Sequence, residues 1–274
     1  MNNLSKKIAL GTAQFGLNYG INNTTGMIPE EESGRILDYA YDYGINTIDT
    51  AYLYGLSEER IGNYLSKTNK NFKVVSKLPA CTKDQIESFF SQSLSKLNLQ
   101  RIYGYLFHSF KDYLADPGKW EMMNKLKQSG LIEKIGFTLY YPGELEYLLN
   151  QKIKFDLLQI PYNIFDQRFE SYFNKLKHQG VEIHARSAFL QGFVFKDVNT
   201  LPVNLVKFKG KIEELEKLSN STGLTKREMC LGFALANEFI DKVVVGVDNL
   251  DHLCENTGVI NTIEKVKENY SLLK

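Results

Sequence analysis

Short apolar runs recur along the chain, each bounded by charged or turn residues, and amphipathic stretches lie between them. The runs cover residues 7–13, 47–51, 73–78, 102–109, 133–139, 157–163, 181–189 and 242–247. Each is short and apolar in character, as in strands buried on both faces. The intervening stretches carry apolar residues at three- and four-residue spacing, the mark of amphipathic helices. The stretch 29–44 opens with Pro29 and three acids and closes at Gly44, which predicts a helix between them. Ser57 is the predicted N-cap of the next helix.

Strand and helix alternate eight times, the repeat number of a (β/α)8 TIM barrel in the α/β class. A doubly wound open sheet is the alternative. It would want a GxGxxG turn after the first strand, and the glycines of "GTAQFGLNYG" are spaced too widely for one. No linker or low-complexity tract divides the chain, so one barrel domain over residues 1–274 is expected. The segment 190–210 is long for a connection and is expected to form a loop over the barrel mouth.

Composition narrows the functions. With 43% hydrophobic and 24% charged residues and a net charge of +1, nothing favours nucleic acid or an anionic membrane as partner. No leader-like start and no run of about 18 apolar residues occurs. Cys81, Cys230 and Cys254 are scattered, which fits a reducing cytoplasm as the expected location. No histidine stands at metal-ligand spacing from another or from a cysteine, so no metal is expected.

Barrel chemistry gathers where strands end at their C-terminal side. Asp49 ends the second predicted strand, Tyr54 follows it, Lys77 ends the third and His108 the fourth. Singly each has an ordinary explanation. The Asp could cap a helix, the Tyr and His could pack, and the Lys could pair structurally with the Asp. Together they suggest a tuned phenol. An ammonium held near Tyr54 lowers the cost of its phenolate, Asp49 keeps Lys77 charged, and His108 orients a carbonyl oxygen. A group that protonates an alkoxide forming on carbon needs a hydride donor, which these four residues do not supply.

The stretch "GINTIDTAYLYGLSEERIG", with its Asp-x4-Tyr spacing, together with "VVSKL" and "YLFHS" in that order, resembles the aldo-keto reductase superfamily. The likeness runs from "IALGTAQFG" to "VGVDNLDHLCEN". It implies a barrel enzyme that reduces an aldehyde or ketone with NADPH, NADH being possible, and makes Tyr54, Asp49, Lys77 and His108 catalytic. It also implies a cofactor site. Thr138 falls at the family's carboxamide-binding serine, while Leu139 replaces the asparagine that often follows. Gln159 matches the carboxamide-binding glutamine. Arg186 and Ser187 fall where the chain after strand 7 meets nicotinamide and pyrophosphate. Glu255 and Asn256 match the adenosine-side pair. Gly246 and His252 replace the lysine and arginine that commonly hold the 2′-phosphate of NADPH.

The expected substrate rim comprises Phe15, Tyr19, Tyr52, Trp120 and Tyr140, faces suited to apolar carbonyls and to the C–H faces of sugars. The stretches "QIPYNIFDQR" and "RSAFLQG" resemble those of sugar-modifying members. Two other readings stay open. Some family members resemble cofactor-sensing regulatory subunits, and Lys77 could form a Schiff base in a barrel lyase, for which it would have to be neutral.

Overall fold

A computed structural model describes residues 4–201 and 203–274. Eight parallel strands close into a barrel in sequence order. They are β1 (Ile8–Gly11), β2 (Thr47–Asp49), β3 (Lys73–Leu78), β4 (Ile102–Phe107), β5 (Ile132–Thr138), β6 (Leu157–Pro161), β7 (Glu182–Arg186) and β8 (Lys242–Gly246). Every apolar run of the sequence holds one of them, and β8 pairs with β1 from Ile8↔Val243 to Gly11↔Gly246. Six strands are shorter than their runs, because the last residues of those runs leave the ladder to enter the loops of the upper face, while β3 equals its run and β5 is displaced from its run by one residue.

Among the described residues, two apolar clusters form. The large one fills the space between strands and helices. There Trp120 stacks on Phe137 at 4.7 Å between ring centroids, and Phe137 stacks on Phe107 at 5.5 Å. Burying one such ring contributes about 2–3 kcal/mol. A small cluster of Val75, Leu106 and Leu157 fills the barrel interior. Below it the interior is polar. Glu182 accepts from Tyr103 at 2.6 Å and from Lys134, and lies 2.6 Å from His184 Nε2. Burial alone would raise the Glu182 carboxyl, but these partners outweigh it and hold the group below its usual range.

The helix Glu30–Tyr43 begins after Pro29 and ends at Gly44, whose φ of 94° lets its N–H return to the carbonyls of Ala40 and Tyr41. Ser57 departs from expectation. It is the first residue of the helix Ser57–Lys67, and its hydroxyl donates to Thr12 O at 2.9 Å instead of capping. Segment 190–210 folds into 3-10 turns at Leu190–Phe195, Val198–Thr200 and Val203–Phe208; residue 202 lies outside the described residues. Only its first turn borders the mouth, where Ile21 N donates to Gln191 O at 2.9 Å. Among the described residues, no helix is long and apolar enough to cross a membrane.

Candidate active site

The ends of β2, β3 and β4 bring four polar groups together. Lys77 Nζ donates to Asp49 Oδ1 at 2.7 Å and to Thr50 O at 2.8 Å. The two side chains are 1% and 4% exposed. Burial opposes the Lys77 charge, yet Asp49 and Tyr54 together more than offset it and hold the ammonium above its ordinary pKa. The other carboxylate oxygen, Asp49 Oδ2, accepts from Gln159 Nε2 at 2.7 Å.

Tyr54 is presented by a tight turn after β2. Its N–H returns to Ala51 O, and its carbonyl accepts from Ser57 N, each at 3.0 Å. Gly55 turns the chain at φ 55°. Gly16 packs directly beneath: a Cβ there would fall 1.8 Å from Tyr54 O. A side chain at Gly16 would therefore push the Tyr54 turn out of place. The turn is further pinned from inside, where Thr12 Oγ1 donates to Asp49 O at 2.9 Å and Thr50 Oγ1 meets Ser57 Oγ at 3.0 Å. Glu58, buried beside Ser57, accepts from Ser76 at 2.6 Å and from Ser93 at 3.3 Å, tying this helix to β3 and to the helix Ile86–Leu97.

The Lys77 ammonium lies 5.0 Å from the Tyr54 ring centroid, and the His108 ring lies 5.8 Å from it, edge to face. Burial pushes the Tyr54 phenol above its usual pKa, and the Lys77 charge pulls it back only in part. The sequence reading expected a lowered phenol. Burial overturns that sign, and Asp49 beside Lys77 adds to the rise. Burial, with the Lys77 charge next, lowers His108 to about 4, so its imidazole is neutral at pH 7. His108 N donates to Leu78 O at 3.2 Å, which holds the ring beside the end of β3.

These groups share a cavity of about 750 Å³ that runs across the barrel mouth toward the end of β8. A model of the aldo/keto reductase family matches residues 7–274. The chain belongs to that family. It is 23% identical over 296 residues to the uncharacterized oxidoreductase YqkF of Bacillus subtilis, covering 98% of this chain and 95% of that protein. It is 22% identical over 263 residues to L-galactose dehydrogenase of Arabidopsis thaliana, covering 88% of this chain and 82% of the relative. Among solved structures it superposes on the holo form of aldo-keto reductase AKR11C1 from Bacillus halodurans with a TM-score of 0.75, at 22% identity, covering 96% and 91% of the two chains.

In this aldo-keto reductase the cavity wall beyond the four polar groups collects the other expected residues. Thr138, Gln159, Arg186 and Ser187 stand on neighbouring strand ends, with Thr138 opposite Gln159 in the β5–β6 register and Pro161 opposite Arg186 in β6–β7. Ser187 turns the chain at φ 67°, a left-handed conformation held by Asn163, whose Nδ2 donates to Ser187 O at 3.2 Å. Gly246, His252, Glu255 and Asn256 line the far end. His252 Nδ1 lies 3.6 Å from Asp248 Oδ2.

The wall is chemically suited to a polar dinucleotide. Thr138 Oγ1, His108 Nδ1 and Arg186 Nε are buried and have no partner among the described residues, and all three residues line the cavity. Buried donors and acceptors without partners cost free energy, and a bound polar group relieves that cost. Leu139, where an amide side chain often stands, is buried in the core and offers the cavity no side-chain donor.

The aromatic rim divides. Tyr19 and Tyr140 line the cavity. Phe15, Tyr52 and Trp120 do not, which corrects the rim expected from the sequence. Phe15 is fully buried in the core. Tyr52 turns outward to the helix Ile86–Leu97, with its hydroxyl donating to Gln92 at 2.8 Å and its ring edge-on to Phe89 at 4.9 Å. Trp120 belongs to the stack on Phe137. Burial of a large ring outside the barrel is worth more than an exposed place at the mouth, and adjacency in sequence does not reveal which wins.

Sequence reasoning missed Arg227. It lines the cavity from the helix Lys226–Ala236 and donates to Asn256 Oδ1 and to Glu255 Oε2, each at 2.5 Å. Its guanidinium lies 5.0 Å from the Phe195 ring centroid. Nothing in "TKREM" distinguishes this arginine from a solvated helix residue, because its partners lie in another helix.

Proposed function

We propose that this aldo-keto reductase reduces an aldehyde or ketone, hydroxylated or sugar-like, to the alcohol, with NADPH as the nominal cofactor and NADH also usable. The observation that carries the reading is the buried Asp49–Lys77 pair beside Tyr54 and His108 at the floor of the cavity. Tyr54 donates its phenolic proton to the carbonyl oxygen as it becomes an alkoxide. Lys77, held and charged by Asp49, stabilises the phenolate left behind. Neutral His108 donates one ring N–H to the same oxygen and orients it. The bound nicotinamide supplies the hydride.

Thr138, Gln159, Arg186 and Ser187 are the residues that would hold the nicotinamide end. Gly246, His252, Glu255 and Asn256 would hold the adenosine end, with Arg227 beside them. Tyr19 and Tyr140 offer ring faces to the substrate. The name of the plant relative, L-galactose dehydrogenase, supports the sugar-like end of the substrate range. The test is a screen of cofactor oxidation across sugar aldehydes, nucleotide sugars and simple aromatic aldehydes. Turnover of a hydroxylated aldehyde that is lost in Tyr54→Phe supports the reading. Absence of turnover with every carbonyl, while the reduced cofactor binds, overturns it.

A further inference from the structure

Arg186 is the last residue of β7 and carries a charge that the protein does not neutralise. Its Nη1 donates to the neighbouring Ser187 Oγ at 3.2 Å and its Nη2 to Leu139 O at 3.3 Å. Its Nε is buried without a partner among the described residues. No carboxylate pairs with it among the described residues. Asp49 is engaged by Lys77 and Gln159, Glu255 by Arg227, and Asp248 lies beside His252. The Tyr140 ring covers one face of the guanidinium, 4.1 Å from its central carbon. A guanidinium keeps its proton at any working pH.

This fixed charge shares a wall with the reacting centre, and its field reaches both Tyr54 and His108. The carbonyl that Tyr54 protonates must also touch the carbon that gives the hydride, at roughly 3–3.5 Å in a reactive geometry. A hydride-giving ring bound there would lie in the same field. A nicotinamide ring is neutral when reduced and positively charged when oxidised, while the phosphates of the dinucleotide keep their charges. We propose that Arg186 disfavours the oxidised ring relative to the reduced one, so that the protein binds the reduced cofactor more tightly and draws the bound couple toward its reduced form. This rests on the reductase reading above.

The ratio of two dissociation constants isolates the effect. If Arg186 served only to hold phosphate or to support the loop, its loss would weaken both redox forms alike. The parent protein, Arg186→Gln, Arg186→Met and Arg186→Lys are titrated with NADPH and NADP⁺, and with NADH and NAD⁺, by calorimetry. Arg186→Met keeps an apolar stem against Tyr140 should Arg186→Gln fold poorly. The parent is expected to prefer the reduced form. Arg186→Gln and Arg186→Met are expected to shift the reduced-to-oxidised ratio by about tenfold toward the oxidised form, the scale of one partly screened charge contact. That corresponds to roughly 30 mV in the two-electron potential of the bound couple. Arg186→Lys should keep most of the ratio. An unchanged ratio in the two neutral variants overturns the proposal, however weak both forms become. Binding of neither form by the parent overturns the reductase reading and this inference with it.

Discussion

Lys77 Nζ lies 2.7 Å from Asp49 Oδ1, with both groups almost entirely out of solvent. A buried pair of this kind is costly to break from one side. Asp49→Asn leaves an ammonium without its counter-ion and also disturbs the Gln159 contact, and is expected to cost about 3–5 kcal/mol of stability. Urea denaturation measures it. Adding Lys77→Met should recover part of the loss, since the unpaired charge is then gone. A single variant as stable as the parent would show that the pair is not the anchor of this site.

Tyr54→Phe keeps the ring in its turn and removes the only phenolic proton among the four polar groups. The rate of reduction is expected to fall at least about a hundredfold, the usual scale for general acid catalysis, with the dissociation constant of the reduced cofactor nearly unchanged. Turnover near the parent value with any good substrate would remove Tyr54 from the role of acid.

His108 gives a pH dependence of defined sign. Burial lowers its pKa to about 4 in the folded protein, whereas an unfolded histidine takes up its proton near 6.5. Between those values unfolding binds a proton, so stability is full above about pH 6.5 and falls as the pH drops toward 4. The slope for one whole proton is about 1.4 kcal/mol per pH unit. In His108→Gln the fall between pH 6.5 and 5 should flatten. Equal slopes in parent and variant would mean that His108 is already protonated in the folded state.

At the far end of the cavity, His252 faces Asp248, and Arg227 is occupied by Glu255 and Asn256. If Gly246 and His252 stand where relatives carry the lysine and arginine for the 2′-phosphate, neither position supplies a fixed charge, and the cation beside them, Arg227, is already paired. Discrimination for NADPH over NADH is expected to be weak, because a fixed charged fork is what reads a phosphate strongly. Asp248→Asn should raise the NADPH preference by removing a like charge near the phosphate. Dissociation constants of both cofactors for the parent, Asp248→Asn and His252→Ala decide. A strong preference that survives His252→Ala would assign the phosphate to another residue, Arg227 first.

The eight strands, their order and the four polar groups were legible in the chain because their signals are local. A strand buried on both faces needs a continuous apolar run, and the residue that ends it is the one the barrel presents at its upper face. What the chain did not disclose depends on contacts between distant residues. Phe15, Tyr52 and Trp120 look like Tyr19 and Tyr140 in sequence, and only packing sends the first three away from the cavity and leaves the other two on it. Arg227 enters the cavity because the helix Leu250–Gly258 places Glu255 and Asn256 against it across 28 and 29 residues of chain. The phenol of Tyr54 rises rather than falls because burial, which no spacing encodes, outweighs the pull of the ammonium beside it. Local patterning selects the elements and brings Asp49, Tyr54, Lys77 and His108 to one rim. The balance of desolvation and charge among them exists only once the barrel has closed around them.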